Sequence, residues 1–242
     1  MSVDPYQRSG EFLDLLSRDA WEALREPVAH ALRGVVPANG PILDVGAGSG
    51  LGTLVAAGTV ADAEILAVEP SAVLRAVLLA RVAADPDLRR RVTVLPGDAG
   101  TVAPPDRLGA VLAMNMVGHL SPEQRRAFWH RIGERLAPGA PLVVNLQPPA
   151  TAAVVPTSVF ARQQVGQYVY EGSGGAEPTA PDVVTWHLRY RVLDAHGQVL
   201  RDLTADYDWH VVAPRMLLDE LSEAGFTAER GALDVVRAVR NS

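Results

Sequence analysis

The sequence Ile42-Leu43-Asp44-Val45-Gly46-Ala47-Gly48-Ser49-Gly50 joins an apolar run to an acid and then to three glycines at alternate positions. This pattern predicts a buried parallel strand, a tight turn and the start of a helix. Glycine in such a turn permits positive φ angles and lets a ligand lie against the backbone, and the first N–H groups of the helix point outward. The stretch therefore predicts a cradle for a nucleotide-like cofactor.

The spacing of the glycines separates the classes of cofactor. A dinucleotide fingerprint, G-x-G-x-x-G, requires a glycine where this chain has Leu51 or Thr53, depending on the glycine from which the count begins. A phosphate-binding P-loop ends in Gly-Lys-Ser/Thr, and the chain contains no lysine. Both phosphate-binding motifs are therefore disfavoured.

The remaining pattern, Asp44-x-Gly46-x-Gly48-x-Gly50, resembles the first motif of the class I S-adenosylmethionine (SAM)-dependent methyltransferases. The resemblance implies SAM as the cofactor. It also implies that the cofactor is bound at Asp44, Gly46, Ala47, Gly48 and Gly50. The alternative is a tight strand-to-helix turn that keeps its glycines for packing alone.

The next apolar run, residues 65–68, ends in an acid. Glu69 follows Asp44 by about 25 residues and precedes Pro70. In a doubly wound sheet this places the Glu69 carboxylate beside the glycine turn, where it can accept hydrogen bonds from both ribose hydroxyls and would repel a 2′-phosphate. We therefore predict Glu69 and Pro70 as cofactor-binding residues. The alternative for Glu69 is a solvated acid at a strand end.

The third apolar run leads into Gly97-Asp98-Ala99, which resembles the adenine-binding segment of the same family. The resemblance implies that the Asp98 carboxylate accepts from the exocyclic amine and that the Ala99 N–H donates to a ring nitrogen. The alternative for Asp98 is a residue that only forms a turn.

Asn115 and His119 follow the fourth predicted strand, where the family places residues near the transferred methyl group. The resemblance implies that Asn115 lines the methionine end of the cofactor. His119 is the candidate catalytic base, because an imidazole has an unperturbed pKa of about 6.5. The alternative is a capping or packing histidine ahead of the helix that follows Ser121. No arrangement of carboxylates and histidines predicts a metal site.

The composition narrows the range of partners. The formal net charge is −6 and the longest basic run is residues 89–91, so nothing attracts nucleic-acid phosphates. The chain has no cysteine, which excludes disulfides and thiolate zinc sites. No apolar run approaches a membrane span, and residues 1–5 lack the features of a leader. We expect a cytoplasmic protein, a monomer or a homodimer, with a small-molecule substrate.

The alternation of apolar runs and helical patterns predicts an α/β fold: a doubly wound, mostly parallel sheet with helices on both faces. We expect one domain over residues 1–242, with residues 1–37 as an N-terminal helical lid whose helical region, 11–33, is interrupted at Pro27. A capped helix is predicted to start at Ser121. The predicted strands cover residues 42–45, 65–69, 92–95, 108–114 and 140–147.

After the fifth strand the alternation fails, and residues 157–212 are predicted as an antiparallel insertion. Residues 172–181 are predicted as a loop because they are rich in glycine and proline. A helix from Pro214, ended by Gly225, and two last strands from Phe226 and over 233–239 complete the chain. The extended segments of the insertion are predicted at residues 163–171, 183–194 and 198–212.

These features predict a SAM-dependent methyltransferase of secondary metabolism that acts on an oxygen, nitrogen or carbon of a small molecule. The Asn/Asp-Pro-Pro-Tyr/Phe motif of the enzymes that methylate DNA adenine or protein glutamine is absent after the fourth strand. Because a fold does not determine a function, a cyclase or pericyclase that binds SAM or its demethylated product without methyl transfer is the alternative. A protein that only binds the cofactor is less favoured, because Asp44, Glu69 and Asp98 keep suitable chemistry.

Overall fold

The computed structural model describes residue 4 and residues 6–241. The prediction about the first five residues therefore lies largely outside the described part of the chain. Seven α-helices and eleven β-strands are described there. The helices are α1 (Gly10–Leu16), α2 (Arg18–Ala31), α3 (Leu51–Thr59), α4 (Ala72–Ala84), α5 (Pro86–Arg91), α6 (Pro122–Gly133) and α7 (Pro214–Glu223). The strands are β1 (Ile42–Val45), β2 (Ile65–Glu69), β3 (Val92–Pro96), β4 (Ala110–Ala113), β5 (Pro141–Asn145), β6 (Val155–Val165), β7 (Tyr168–Ala180), β8 (Val183–Leu193), β9 (Val199–His210), β10 (Phe226–Arg230) and β11 (Val235–Arg240).

A seven-stranded sheet forms the centre of the molecule, in the order β10-β11-β5-β4-β1-β2-β3. Strands β1 to β5 are parallel, while β11 is antiparallel to both β5 and β10. Leu43 and Val45 of β1 pack with α6 and α7, whereas Ile42 packs with α2, α3 and α4. Because alternate residues of a strand face opposite sides, helices cover both faces of the sheet. The predicted fold class is confirmed.

The N-terminal helical region differs from its prediction at Pro27. The helical region is interrupted at Ser17, between α1 and α2, and α2 continues through Pro27. A proline inside a helix deprives the carbonyl four residues earlier of its donor, but that residue, Ala23, is exposed and water can satisfy it. Leu24 and Val28 pack in the core on either side of the proline.

The insertion is a separate four-stranded antiparallel sheet in the order β6-β7-β8-β9. The loop predicted at residues 172–181 is wrong, because β7 runs through it, and the predicted segment 163–171 is divided by a turn at Gly166. The glycines of β7 serve packing: a Cβ on Gly172 would lie 2.5 Å from the ring of Phe160. Composition alone suggested a loop because glycine is uncommon inside strands. Here the glycines leave room for the ring of a neighbouring strand.

The capped helix α6 is confirmed and is joined to α7 by a buried ion pair. Ser121 accepts from the N–H of Gln124, whose side chain accepts from the N–H of Ser121. Arg125 donates to Glu220 through Nε at 3.0 Å and Nη2 at 2.7 Å, and both side chains are buried. Trp129 Nε1 also donates to Glu220. None of the helices in the described residues is long and apolar enough to cross a membrane.

Removing the carboxylate of this pair should destabilise the protein strongly. In Glu220→Leu the Arg125 guanidinium remains buried without its counter-charge, so the free energy of unfolding should fall by about 3–5 kcal/mol. The double variant Arg125→Met/Glu220→Leu should regain part of that loss, because the uncompensated charge is gone. Chemical denaturation measures both, with the exposed Glu223→Leu of the same helix as control. A single variant as stable as wild type would contradict the assignment.

Candidate active site

A cavity of about 820 Å³ opens at the carboxyl ends of β1, β2 and β4 and extends to α1, α2, β8 and β9. Most of the predicted site residues line it. Asp44 and Gly50 do not. Those that do are Gly46, Ala47, Gly48, Glu69, Pro70, Asp98, Ala99, Asn115 and His119.

The glycine turn offers its backbone to this cavity. Gly46, Gly48 and Gly50 all have positive φ, of 70°, 57° and 92°. A Cβ on Gly48 would meet nothing closer than a backbone oxygen at 4.0 Å and would instead fill the cavity. At Gly50 it would lie 2.5 Å from Leu78 Cδ1, so this third glycine permits helix packing.

Two N–H groups that the sequence analysis did not single out complete the turn. The N–H groups of Gly46 and Ala47 donate to the Val68 carbonyl and are not free for a ligand. Ser49 and Leu51 line the cavity, and their N–H groups have no acceptor within the described residues. Since Leu51 begins α3, these donors form a helix N-terminus suited to a carboxylate such as that of a methionine moiety.

Asp44 supports the turn from beneath. Its side chain is 2% exposed and accepts from Thr53 Oγ1 at 2.6 Å. Burial raises the pKa of Asp44 to about 7, the Thr53 hydrogen bond opposes this rise, and the nearby Glu69 charge adds to it. Asp44 thus fixes the first turn of α3 against β1, and its predicted contact with the cofactor stays a prediction.

Glu69 connects β2 to the glycine turn. Its Oε2 accepts from the Gly48 N–H and its Oε1 from the Ser71 N–H, each at 2.8 Å. Burial raises the pKa of Glu69, and the two backbone donors oppose that rise. A carboxylate has about four acceptor positions, so two remain for a pair of ribose hydroxyls. The same carboxylate can therefore hold the turn and bind a ribose.

The two oxygens of the Asp98 carboxylate have different surroundings: one is bound within the turn and the other is free. Oδ1 accepts from the N–H groups of Gly100 and Thr101, each at 2.8 Å, and from the Thr101 hydroxyl. Oδ2 accepts no hydrogen bond from the described residues. The Ala99 N–H likewise has no acceptor among them. One free acceptor beside one free donor matches the edge of an adenine ring. Both interpretations of Asp98 are compatible with this geometry.

Asn115 is held by a residue that the sequence analysis missed. The Asn115 N–H donates to Asn145 Oδ1, and Asn145 Nδ2 donates to Asn115 Oδ1, both at 2.7 Å. Asn115 adopts a φ of 56°, which asparagine tolerates better than most residues. Asn145 ends β5, which pairs with β4. Its place at the end of a neighbouring parallel strand was the available signal.

His119 lies in an aromatic enclosure. Tyr6 Oη and His119 Nε2 are 2.7 Å apart, and the rings of Tyr207 and Trp209 lie 5.5 and 4.8 Å from the imidazole centroid. A Cβ on Gly118 would overlap the indole of Trp209, so the preceding glycine permits this approach. Burial lowers the pKa of His119 to about 4, and burial raises the pKa of Tyr6 well above its usual range. Tyr6 was not predicted from the sequence.

Comparison with known proteins identifies the central part of the chain. Residues 42–139 match a family model described as a methyltransferase domain. The matched segment runs from β1 to just before β5 and covers less than half of the chain. The resemblance to the class I family, the enzyme class and SAM as the cofactor are thereby confirmed. The glycine cradle, the Glu69 carboxylate and the free groups of Asp98 and Ala99 fit that cofactor.

Solved structures extend the similarity beyond the matched residues. DesVI of Streptomyces venezuelae is 18% identical with a TM-score of 0.77 over 100% of both chains. CalS10 of Micromonospora echinaspora, an amino pentose methyltransferase solved with SAM, is 20% identical with a TM-score of 0.72 over 91% of this chain and 92% of that one. KedS8 of Streptoalloteichus, a sugar N-methyltransferase, is 18% identical with a TM-score of 0.74 over 100% of this chain and 96% of that one. At such identities the likeness shows the fold alone. The curated proteins contain no match.

No group of three or more histidine, cysteine, aspartate or glutamate side chains that could hold a metal ion occurs among the residues the structure describes.

Replacing the Glu69 carboxylate, which we predict to bind the ribose, should weaken cofactor affinity. Glu69→Gln loses the charged acceptor and presents an amide donor to a backbone N–H, so the affinity for S-adenosylhomocysteine (SAH) should fall tenfold or more. Because Glu69 also holds Gly48 and Ser71, the melting temperature should fall as well. Isothermal titration measures the affinity, and the exposed Glu64→Gln just ahead of β2 is the control. Unchanged affinity in a folded variant would leave Glu69 with a structural role only.

Asp44 should make stability depend on pH. Its pKa in the folded protein, about 7, exceeds the ordinary 3.8, so its contribution is complete below about pH 4 and is lost as the pH rises to about 7. Asp44→Asn removes this loss, which amounts to roughly 4 kcal/mol. The melting temperature of the variant relative to wild type should rise between pH 4 and 7 and stay level above that. A difference that does not vary with pH would contradict the assignment.

Proposed function

We propose that the chain transfers the methyl group of SAM to an amine nitrogen of a small molecule bound between the glycine turn and the aromatic enclosure of His119. The observation that carries the proposal is the neutral Tyr6–His119 pair at the cavity wall. SAM supplies a methyl group that is already activated by its sulfonium leaving group. The protein must therefore bind and align the cofactor and the acceptor, and it must exclude water.

The imidazole of His119 is uncharged at physiological pH. Since burial lowers its pKa to about 4, it carries no positive charge that would repel a cationic cofactor. The Tyr6 hydroxyl is also protonated at physiological pH, because its pKa is raised. One hydrogen bond therefore joins two neutral groups. Either tautomer leaves a lone pair on the Tyr6 oxygen or on the ring that can accept an N–H of an amine. The pair thus orients an uncharged amine toward the cofactor.

The same pKa argues against an unactivated hydroxyl as the nucleophile. An aliphatic hydroxyl ionises about as weakly as water, whose pKa is about 15.7. Full proton transfer from such a hydroxyl to an imidazole of pKa about 4 would be uphill by about 12 units, or about 16 kcal/mol. An amine in its neutral form already carries the lone pair that attacks carbon. Nitrogen is therefore the nucleophile that this site serves without a stronger base.

The aromatic walls suit the charges of the reaction. Tyr6, Tyr207 and Trp209 surround His119 and line the cavity together with it. Aromatic faces attract cations within about 6 Å, by about 2 kcal/mol or more where water is excluded. Such walls favour the permanent positive charge of a sulfonium.

Two structural neighbours support nitrogen and a small acceptor. CalS10 is described as an amino pentose methyltransferase and KedS8 as a sugar N-methyltransferase. The net charge of −6 further favours a small molecule over nucleic acid. A polar amine, with an amino sugar as the first candidate, is therefore the proposed acceptor.

The direct experiment compares matched acceptors. The protein is incubated with methyl-labelled SAM and a panel of amino sugars, each beside the sugar with a hydroxyl at the same carbon, and the products are analysed by mass spectrometry. One added methyl on an amine and none on its hydroxyl partner supports the proposal. Methylation of the hydroxyl partner refutes nitrogen as the nucleophile. An isomerised product without added mass would identify the cyclase alternative.

His119 should act as a hydrogen-bonding group and not as a titrating base. Its imidazole signals in NMR spectra should not titrate between pH 5 and 8, because its pKa is about 4. Tyr6→Phe and His119→Ala should each lower kcat/KM by about two- to tenfold, the effect of one neutral hydrogen bond, with SAH affinity retained. The exposed His187→Ala is the control. A loss of about 10²–10⁴-fold in His119→Ala, with a pKa near 7, would identify a general base instead.

A further inference from the structure

Helix α2 supplies a wall of the cavity beside the start of α3. Ser17, which precedes α2, and Trp21, in its first turn, both line the cavity. They are four residues apart, so their side chains lie on one face of the helix. A Cβ on Gly52 would lie 2.9 Å from Trp21 Cη2 and 3.5 Å from Cζ2, which places the indole ring against the first turn of α3. Gly52 permits this contact because it has no side chain.

Both side chains of this wall carry a donor that the protein does not use. A serine just before a helix usually caps it through its hydroxyl, but Ser17 has helical φ and ψ angles of −91° and −7°, and its side chain forms no cap. The Trp21 indole N–H has no acceptor within the described residues, whereas that of the buried Trp129 donates to Glu220. Neither polar atom is closed off from solvent. Both donors are therefore available to a ligand in the cavity.

The two donors of α2 complement those at the start of α3. The N–H groups of Ser49 and Leu51 also line the cavity and form a helix N-terminus, which favours an anion. A carboxylate has about four acceptor positions, so it can receive hydrogen bonds from two backbone and two side-chain donors. SAM and SAH each have a single carboxylate, at the methionine end. That carboxylate is therefore the part of the cofactor that fits between the two helices.

We propose that Trp21 and Ser17 bind the methionine carboxylate of the cofactor, opposite the N–H groups of Ser49 and Leu51. A hydrogen bond to a charged group contributes about 1.5–3 kcal/mol, so these two donors account for a measurable part of the cofactor affinity. The bound carboxylate also connects α2 to the glycine turn. The inference concerns the cofactor and does not rest on the identity of the acceptor or on the atom that is methylated.

The test compares SAH with decarboxylated SAH, which lacks the carboxylate and keeps the rest of the molecule. Both are titrated by calorimetry into wild type, Trp21→Phe and Ser17→Ala, and the ratio of the two affinities is measured. A change in the shape of the cavity affects both ligands, whereas a lost donor to the carboxylate affects SAH alone. The preference for SAH should fall at least about tenfold in Trp21→Phe and in the same direction in Ser17→Ala. Trp186→Phe, at a tryptophan outside the cavity, is the matched control.

Three outcomes would overturn the inference. Trp21→Phe that weakens both ligands equally would leave Trp21 as a packing residue, and Trp21→Phe that weakens neither would remove it from the site. Wild type that binds decarboxylated SAH as tightly as SAH would show that the carboxylate contributes nothing. Ser17→Ala keeps the indole in place and tests the second donor by itself. The proposed function fails separately, if SAH binds in the expected way and the acceptor panel shows no methylated amine.

Discussion

The hydrogen bonds of the Glu69 carboxylate are the interaction on which the site depends. They join the end of β2 to Gly48 in the turn after β1 and to Ser71 at the start of α4. Together with the Val68 carbonyl, which accepts from the N–H groups of Gly46 and Ala47, they hold the turn against the neighbouring strand. The parallel pairing of β2 with β3 then places Asp98 at the same edge, and the pairing of β1 with β4 places Asn115 there. A single buried acid thus serves both the fold and the proposed ribose contact.

The sequence predicted the parts of this site that depend on local pattern. The alternating glycines, the strand-end acids and the capping residues of α6 each act through neighbours close in the chain, so their signal lies in a short window. Asn145 and Tyr6 act through partners 30 and 113 residues away, Asn115 and His119. No local sequence pattern predicts such pairs. The loop predicted over residues 172–181 was wrong for the same reason, since the ring that covers Gly172 belongs to another strand.

The N-terminal helices are joined electrostatically to the glycine turn. Arg81 of α4 donates to the Ser49 carbonyl at 2.5 Å and to Asp14 of α1 at 2.8 Å. The guanidinium lies between α1 and the glycine turn, so a displacement of α1 would disturb that turn. Leucine and phenylalanine side chains of α1 pack on Tyr190 of the insertion at the same time. Helix α1 therefore connects the proposed cofactor side to the proposed acceptor side.

The burial of His119 explains how a histidine that is uncharged near neutral pH fits the proposed reaction. The pKa of His119 is low because Tyr6, Tyr207 and Trp209 exclude water from it, and Tyr6 belongs to the N-terminal segment. A protonated imidazole beside a sulfonium would raise the energy of the bound cofactor, and an ammonium acceptor would do the same. Exclusion of water disfavours both charges together. The enclosure that keeps His119 neutral thus also favours the uncharged form of an amine, which is the form that can attack the methyl carbon.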